Sequence, residues 1–128
     1  MTTWTSDELT QIGAAEELEI AARRRDGTLR NPVTIWVVPH GDNLYVRSVN
    51  GPDAAWFRGT RARHEGRVRA GGVEKDVGFV DADHGIDDEI DAAYRTKYHR
   101  YADATIRRIM SPDARATTIK LVPRTTGL

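Results

Sequence analysis

Residues 33–38 read Val33-Thr34-Ile35-Trp36-Val37-Val38. The run is too short and too β-branched for a helix, so it is expected to form a strand. Side chains alternate across a strand, which sets Val33, Ile35 and Val37 on one face and Trp36 and Val38 on the other. A strand that is apolar on both faces needs cover on both. That requirement points to a sheet packed on its inner and outer sides.

The neighbouring segments supply more strands. Upstream, Glu17 to Arg23 places Leu18, Ile20 and Ala22 on one side, and Asp26-Gly27 provides a turn. Downstream, His40-Gly41-Asp42-Asn43 turns the chain into Leu44 to Ser48. Arg67 to Ala70 and Val73 to Val80 are joined by Gly71-Gly72, which tolerates the positive φ of a tight hairpin. Ala116 to Val122 gives a last strand, closed by Pro123.

Helices are expected between them. Thr5 and Glu8 have capping-box spacing ahead of Leu9 and Ile12. Ala54 to Ala62 carries Trp56 and Phe57. Ile86 to Tyr101 steps Ile86, Ile90, Tyr94, Tyr98 and Tyr101 along one face, and Thr105 to Met110 adds another turn. The expectation is an α+β domain over residues 1–128, a six-stranded antiparallel sheet or barrel with flanking helices.

Composition narrows the function classes. The chain has 128 residues, zero formal net charge and no cysteine. Thiolate nucleophiles, disulfide frameworks and cysteine-zinc sites are excluded. His40, His64, His84 and His99 are scattered and form no metal motif. There is no P-loop, Rossmann glycine motif or nucleophile elbow around Ser48. Zero net charge and an acidic helix start argue against nucleic acid as a partner. No apolar run reaches membrane-span length, and MTTWTSDELT lacks the blocks of a signal peptide, so a cytoplasmic location is expected.

The charge is nevertheless uneven. From Arg23 to Arg69 there are ten arginines, no lysine and four acids, and from Glu74 to Asp91 eight acids and one lysine. Guanidinium groups bind phosphate bidentately. Arg24, Arg25 and Arg30 flank one turn, and the Ser48 to Gly51 segment offers a hydroxyl and small-residue N–H groups. One reading is a site for a phosphate-bearing ligand; the other is a solvated face that pairs with the acidic half. Tyr94 and Tyr98 are read as a packed helix face before a substrate-facing one, and His99 is given no role.

The pieces RRDGTLRNP (24–32), GDNLYVRS (41–48), NGPDAAWFRG (50–59) and GRVRAGG (66–72) resemble the deazaflavin-dependent nitroreductase-like branch of the FMN-binding split barrels, related to the pyridoxamine-phosphate oxidases. The whole chain resembles an uncharacterised bacterial domain family related to that branch. The resemblance implies a split β-barrel that binds FMN or a deazaflavin coenzyme, and the two apolar faces of Val33 to Val38 make a homodimer the expected assembly, one face inside the barrel and the other under a helix or a second subunit. Arg24, Arg25, Arg30, Ser48 and Asn50 would lie on the phosphate side, and Trp36, Tyr45 and Trp56 would line the ring or the dimer interface. Val49 stands where the branch often has Lys, and Arg58-Gly59 where it has Asn. The alternative is a non-catalytic barrel that binds no flavin and recognises a small molecule or a protein.

Overall fold

The computed structural model describes residues 3–124. Helix α1 (Ser6–Ala14) is followed by strands β1 (Leu18–Ala22), β2 (Val33–Ile35), β3 (Val38–His40) and β4 (Asn43–Val46). Then come α2 (Ala55–Arg63), β5 (Glu65–Ala70), β6 (Val73–Asp81), α3 (Asp87–Lys97), α4 (Asp103–Ile109), α5 (Pro112–Arg115) and β7 (Ile119–Pro123). The capping box at the start of α1 forms as its spacing predicts, with Thr5 and Glu8 bonding each other's backbone.

All pairings are antiparallel, in the order β2-β1-β5-β6-β7-β4-β3. The sheet therefore has seven strands among the described residues, and the expected six is corrected. The seventh arises because residues 33–38 do not form one strand. Ile35 ends one edge of the sheet and Val38 begins the opposite edge. Three residue steps span at most about 11 Å, so the two edges must approach each other. The sheet curls into a half-barrel with its seam at Trp36-Val37.

A single hydroxyl group serves that seam. The Tyr98 hydroxyl accepts from the Val37 N–H at 3.2 Å and donates to the Glu16 carbonyl at 2.8 Å. The Val37 carbonyl accepts from Lys97 Nζ at 2.6 Å. Side chains thus satisfy backbone groups that a neighbouring strand would otherwise pair.

The interior of the half-barrel is apolar. Leu18, Ile20, Val37, Leu44, Val46, Val68, Val77, Phe79, Ile119 and Leu121 pack there, with Ile12 of α1 and Phe57 of α2. Gly66 lets β1 and β5 approach, since a Cβ there would lie 2.2 Å from the Ala21 carbonyl oxygen. Outside β3 and β4, a second layer of Val38, Tyr45, Ile90, Tyr94, Tyr98, Ile106 and Ile109 joins the sheet to α3 and α4. Alternation along β4 explains the two layers, because Leu44 and Val46 point inward and Tyr45 outward. The long helix expected over 86–101 is shorter. It stops at Lys97, and the chain turns through Tyr98–Tyr101 into α4. No helix among the described residues is long and apolar enough to cross a membrane.

Candidate functional site

A cavity of about 340 Å³ opens beside the seam. One wall is β2 and Trp36, another is α2 through Trp56, and the third is α4 through Thr105, Arg108 and Ile109. Arg47, Val49 and Asn50 lie along its base and rim. Arg108 reaches the rim because Ile106 and Ile109 bury the other face of α4. Its guanidinium donates to Asn50 Oδ1 at 3.4 Å. Arg108 has no carboxylate within 4.0 Å among the described residues. Val33 and Val49, 37% and 40% exposed, form an apolar mouth.

Trp36 is held firmly. Its ring stacks on Tyr98 at 3.9 Å between centroids and 5° between planes, and meets Tyr101 edge-on at 4.9 Å. Packing on this scale fixes an indole in one rotamer. Trp56 meets Phe57 edge-on at 6.1 Å.

Beneath the cavity lies a buried ionic network. Arg47 leaves the end of β4 and is 1% exposed. Its Nε donates to Thr118 Oγ1 at 2.9 Å, and its terminal nitrogens donate to Asp91 Oδ1 at 2.5 Å and to the carbonyls of Ile109 and Asp87 at 3.2 and 3.1 Å. Arg115 donates to the second oxygen of Asp91 and pairs with Asp88. One guanidinium thus ties β4, α3, α4 and the start of β7. Two buried oxygens nearby in sequence, Ser48 Oγ and the Tyr94 hydroxyl, have no partner among the described residues. Burial pushes the Tyr94 phenol well above its ordinary range.

Of the eight residues expected at a site, three meet in the cavity: Trp36, Asn50 and Trp56. Five do not line it. Tyr45 is 6% exposed in the outer layer, where burial raises its phenol pKa. Ser48 is buried, its N–H donating to Thr117 Oγ1 at 2.8 Å. Arg24 donates to Thr28 Oγ1 and to the Leu29 carbonyl within its own turn. Arg25 is exposed, and its carbonyl accepts from Arg63. Arg30 is exposed and lies along α2, its Cδ and Nε 3.0 Å from where a Cβ of Gly59 would stand.

Arg47, Arg108 and Glu17 were not anticipated at the cavity. The spacing of Thr105 and Arg108 beside Ile106 and Ile109 marks a helix flank. Nothing in that spacing says that the flank faces β2. Among the described residues, no group of three or more His, Asp or Glu is placed to hold a metal ion.

Residues 8–121 match the model of a family described as "Uncharacterized protein conserved in bacteria (DUF2255)". The chain belongs to this family. No curated protein matches it. Among solved structures this DUF2255 chain is similar to an F420 reductase, at 14% identity and a TM-score of 0.57 over 93% of each chain. It is similar to a conserved hypothetical protein from Mycobacterium tuberculosis, at 9% identity and a TM-score of 0.61 over 97% of this chain and 82% of that one. It is also similar to an FAD-binding protein from Mesorhizobium loti, at 17% identity and 0.54 over 96% and 92%. At such identities the likeness shows the fold alone, an α+β fold whose antiparallel sheet curls into a half-barrel with flanking helices.

Proposed function

We propose that the chain binds a flavin- or deazaflavin-type nucleotide in the Trp36–Trp56 cavity. The observation that supports this most is the gathering of two indoles and the Arg108–Asn50 pair around one opening. Indoles favour a flat heteroaromatic ring, and a guanidinium without a carboxylate partner favours phosphate. A volume of about 340 Å³ lies at the small end for ligand pockets, so the ring would be enclosed and the tail would lie outside. Arg30, packed on Gly59 one turn along α2 from Trp56, would in this reading meet a phosphate that runs past that indole.

When bound, such a group supplies hydride chemistry. The residues of the chain then need only orient it and exclude water. Oxidoreductase activity on a small molecule is part of the same reading. So is a homodimer, because a second copy over Val33 and Val49 would cover the apolar mouth. Light scattering on a sizing column checks it, and a monomer mass at micromolar concentration removes it.

A second reading has its own support. One face of Trp36 is already taken by Tyr98, and Arg24 spends its guanidinium on its own turn. A barrel that binds no flavin and recognises another small molecule or a protein would show these features. Titration of tryptophan fluorescence with FMN, a deazaflavin nucleotide and inorganic phosphate separates the two. The first reading expects quenching by a nucleotide, weakened about tenfold or more in Arg108→Ala, the size of one charge-assisted hydrogen bond. No binding of either nucleotide leaves the second reading.

A further inference from the structure

Lys97 lies outside the cavity and outside the cofactor reading. The chain has three lysines, Lys75, Lys97 and Lys120, against sixteen arginines. Arginine stays protonated, whereas lysine can release its proton and become a nucleophile. Lys75 is tied to Glu8 at 2.6 Å. Lys97 has no carboxylate within 4.0 Å among the described residues. Its Nζ donates to the Val37 carbonyl at 2.6 Å and lies 5.1 Å from the centroid of the Tyr98 ring. Lys97 thus lacks the carboxylate partner that holds Lys75. Burial pushes the amine down to about 8, against a weaker opposing pull from Glu16.

Lys97 lines a groove of about 470 Å³ between the end of α1, β3 and α3. Pro39, Ala92 and Ala93 give it an apolar surface. His40 and Glu89 stand on the same groove, with His40 Nε2 3.5 Å from the Glu89 carboxylate. An amine, an imidazole and an apolar surface therefore share one opening.

We propose that this groove is a carbonyl-binding site, where Lys97 forms a reversible imine with a small aldehyde whose apolar part rests on Pro39, Ala92 and Ala93. The amine lone pair adds to the carbonyl carbon, and the carbonyl π pair moves to oxygen, which takes up a proton. The nitrogen loses a proton, and the carbinolamine expels its hydroxyl as water while C=N forms. One aldehyde and one amine give one imine and one water, with no oxidant or reductant. Solvent delivers the proton that the departing hydroxyl takes up.

The test uses the full chain with pentanal and cyanoborohydride near pH 7.5, which traps the imine as a stable secondary amine, read by peptide mass spectrometry. Lys97 is expected to be alkylated at least about ten times faster than Lys75 and Lys120, because far more of its amine is neutral. Lys97→Arg should abolish the fast adduct with an unchanged circular dichroism spectrum. Ala92→Leu, which fills the groove, should slow Lys97 several-fold and leave the other two lysines unaffected. Equal rates at all three lysines overturn the reactive amine. A fast Lys97 that ignores the groove-filling Ala92→Leu overturns the site.

Discussion

The two layers of this protein are held by different chemistry. The interior of the half-barrel is built from aliphatic and aromatic side chains from every strand except the short edge β3, with Ile35 of β2 packed half-buried against it. The layer between the sheet and α3 and α4 mixes apolar side chains with Arg47, Asp91, Thr118, Tyr94 and Tyr98. The first layer needs only shape and hydrophobicity, which many sequences supply. The second needs partners placed atom by atom, because a buried charge without one is costly. Both openings lie beside the second layer: α4 walls the cavity and α3 walls the groove. Whatever fixes the helices therefore also fixes the places where a ligand would bind.

Arg47→Met should break this contrast most sharply. It leaves Asp91 to Arg115 alone and strips Thr118 and two carbonyls of a donor, so a loss of about 3–5 kcal/mol is expected in denaturant melts. A loss below about 1 kcal/mol would mean that the network contributes no more than an exposed ion pair. Next comes Tyr98→Phe. The ring would stay, so its stacking on Trp36 stays, but the Val37 N–H and Glu16 carbonyl lose their partner. A cost of about 1–3 kcal/mol follows for buried groups left unpaired, with faster hydrogen exchange at the Val37 amide as the local readout.

Tyr94→Phe sharpens the comparison in the opposite direction. The Tyr94 hydroxyl is buried and has no partner among the described residues, so its removal should be neutral or stabilise by up to about 1 kcal/mol. Destabilisation would show that the hydroxyl has a partner, such as a bound water. The smallest effect is one of pH. Folded Lys97 releases its proton near 8, whereas the unfolded chain holds its own to about 10.4. The unfolded state then binds more protons between those values, so this group makes stability rise as pH rises from about 8 to 10. The buried tyrosine phenols, raised above their ordinary range, act in the opposite sense only above about pH 10. Melts of wild type and Lys97→Met at pH 7.5 and 9.5 check the slope, which should be flatter in the variant.

Most of the fold was legible because period and turn chemistry are local. The β5–β6 hairpin follows from Gly71-Gly72, both with positive φ. The packed face of α3 follows from the spacing of Ile90, Tyr94 and Tyr98. The break at Trp36 was not legible, since Val33 to Val38 has the same alternation whether or not the chain changes edges. Its cause is an aromatic stack with residues some sixty positions away. The site was legible in part for the same reason. Trp36, Asn50 and Trp56 lie near one another in the chain's first half, but Arg108 comes from α4 and joins them only through tertiary packing. Arginine clustering in sequence drew notice to a turn that binds its own backbone.

The position of β7 in the sheet has a consequence for synthesis. It lies between β6 and β4, and so couples the β4–β3 hairpin to the remaining strands. A ribosome adds residues at about 5–20 per second and releases them in order. Until residues 119–123 leave the exit tunnel, β4 and β6 face a gap one strand wide. The nascent chain can form the β5–β6 hairpin and its helices early. It cannot close the barrel, or assemble the Arg47–Thr118 contact, until translation of that segment is finished.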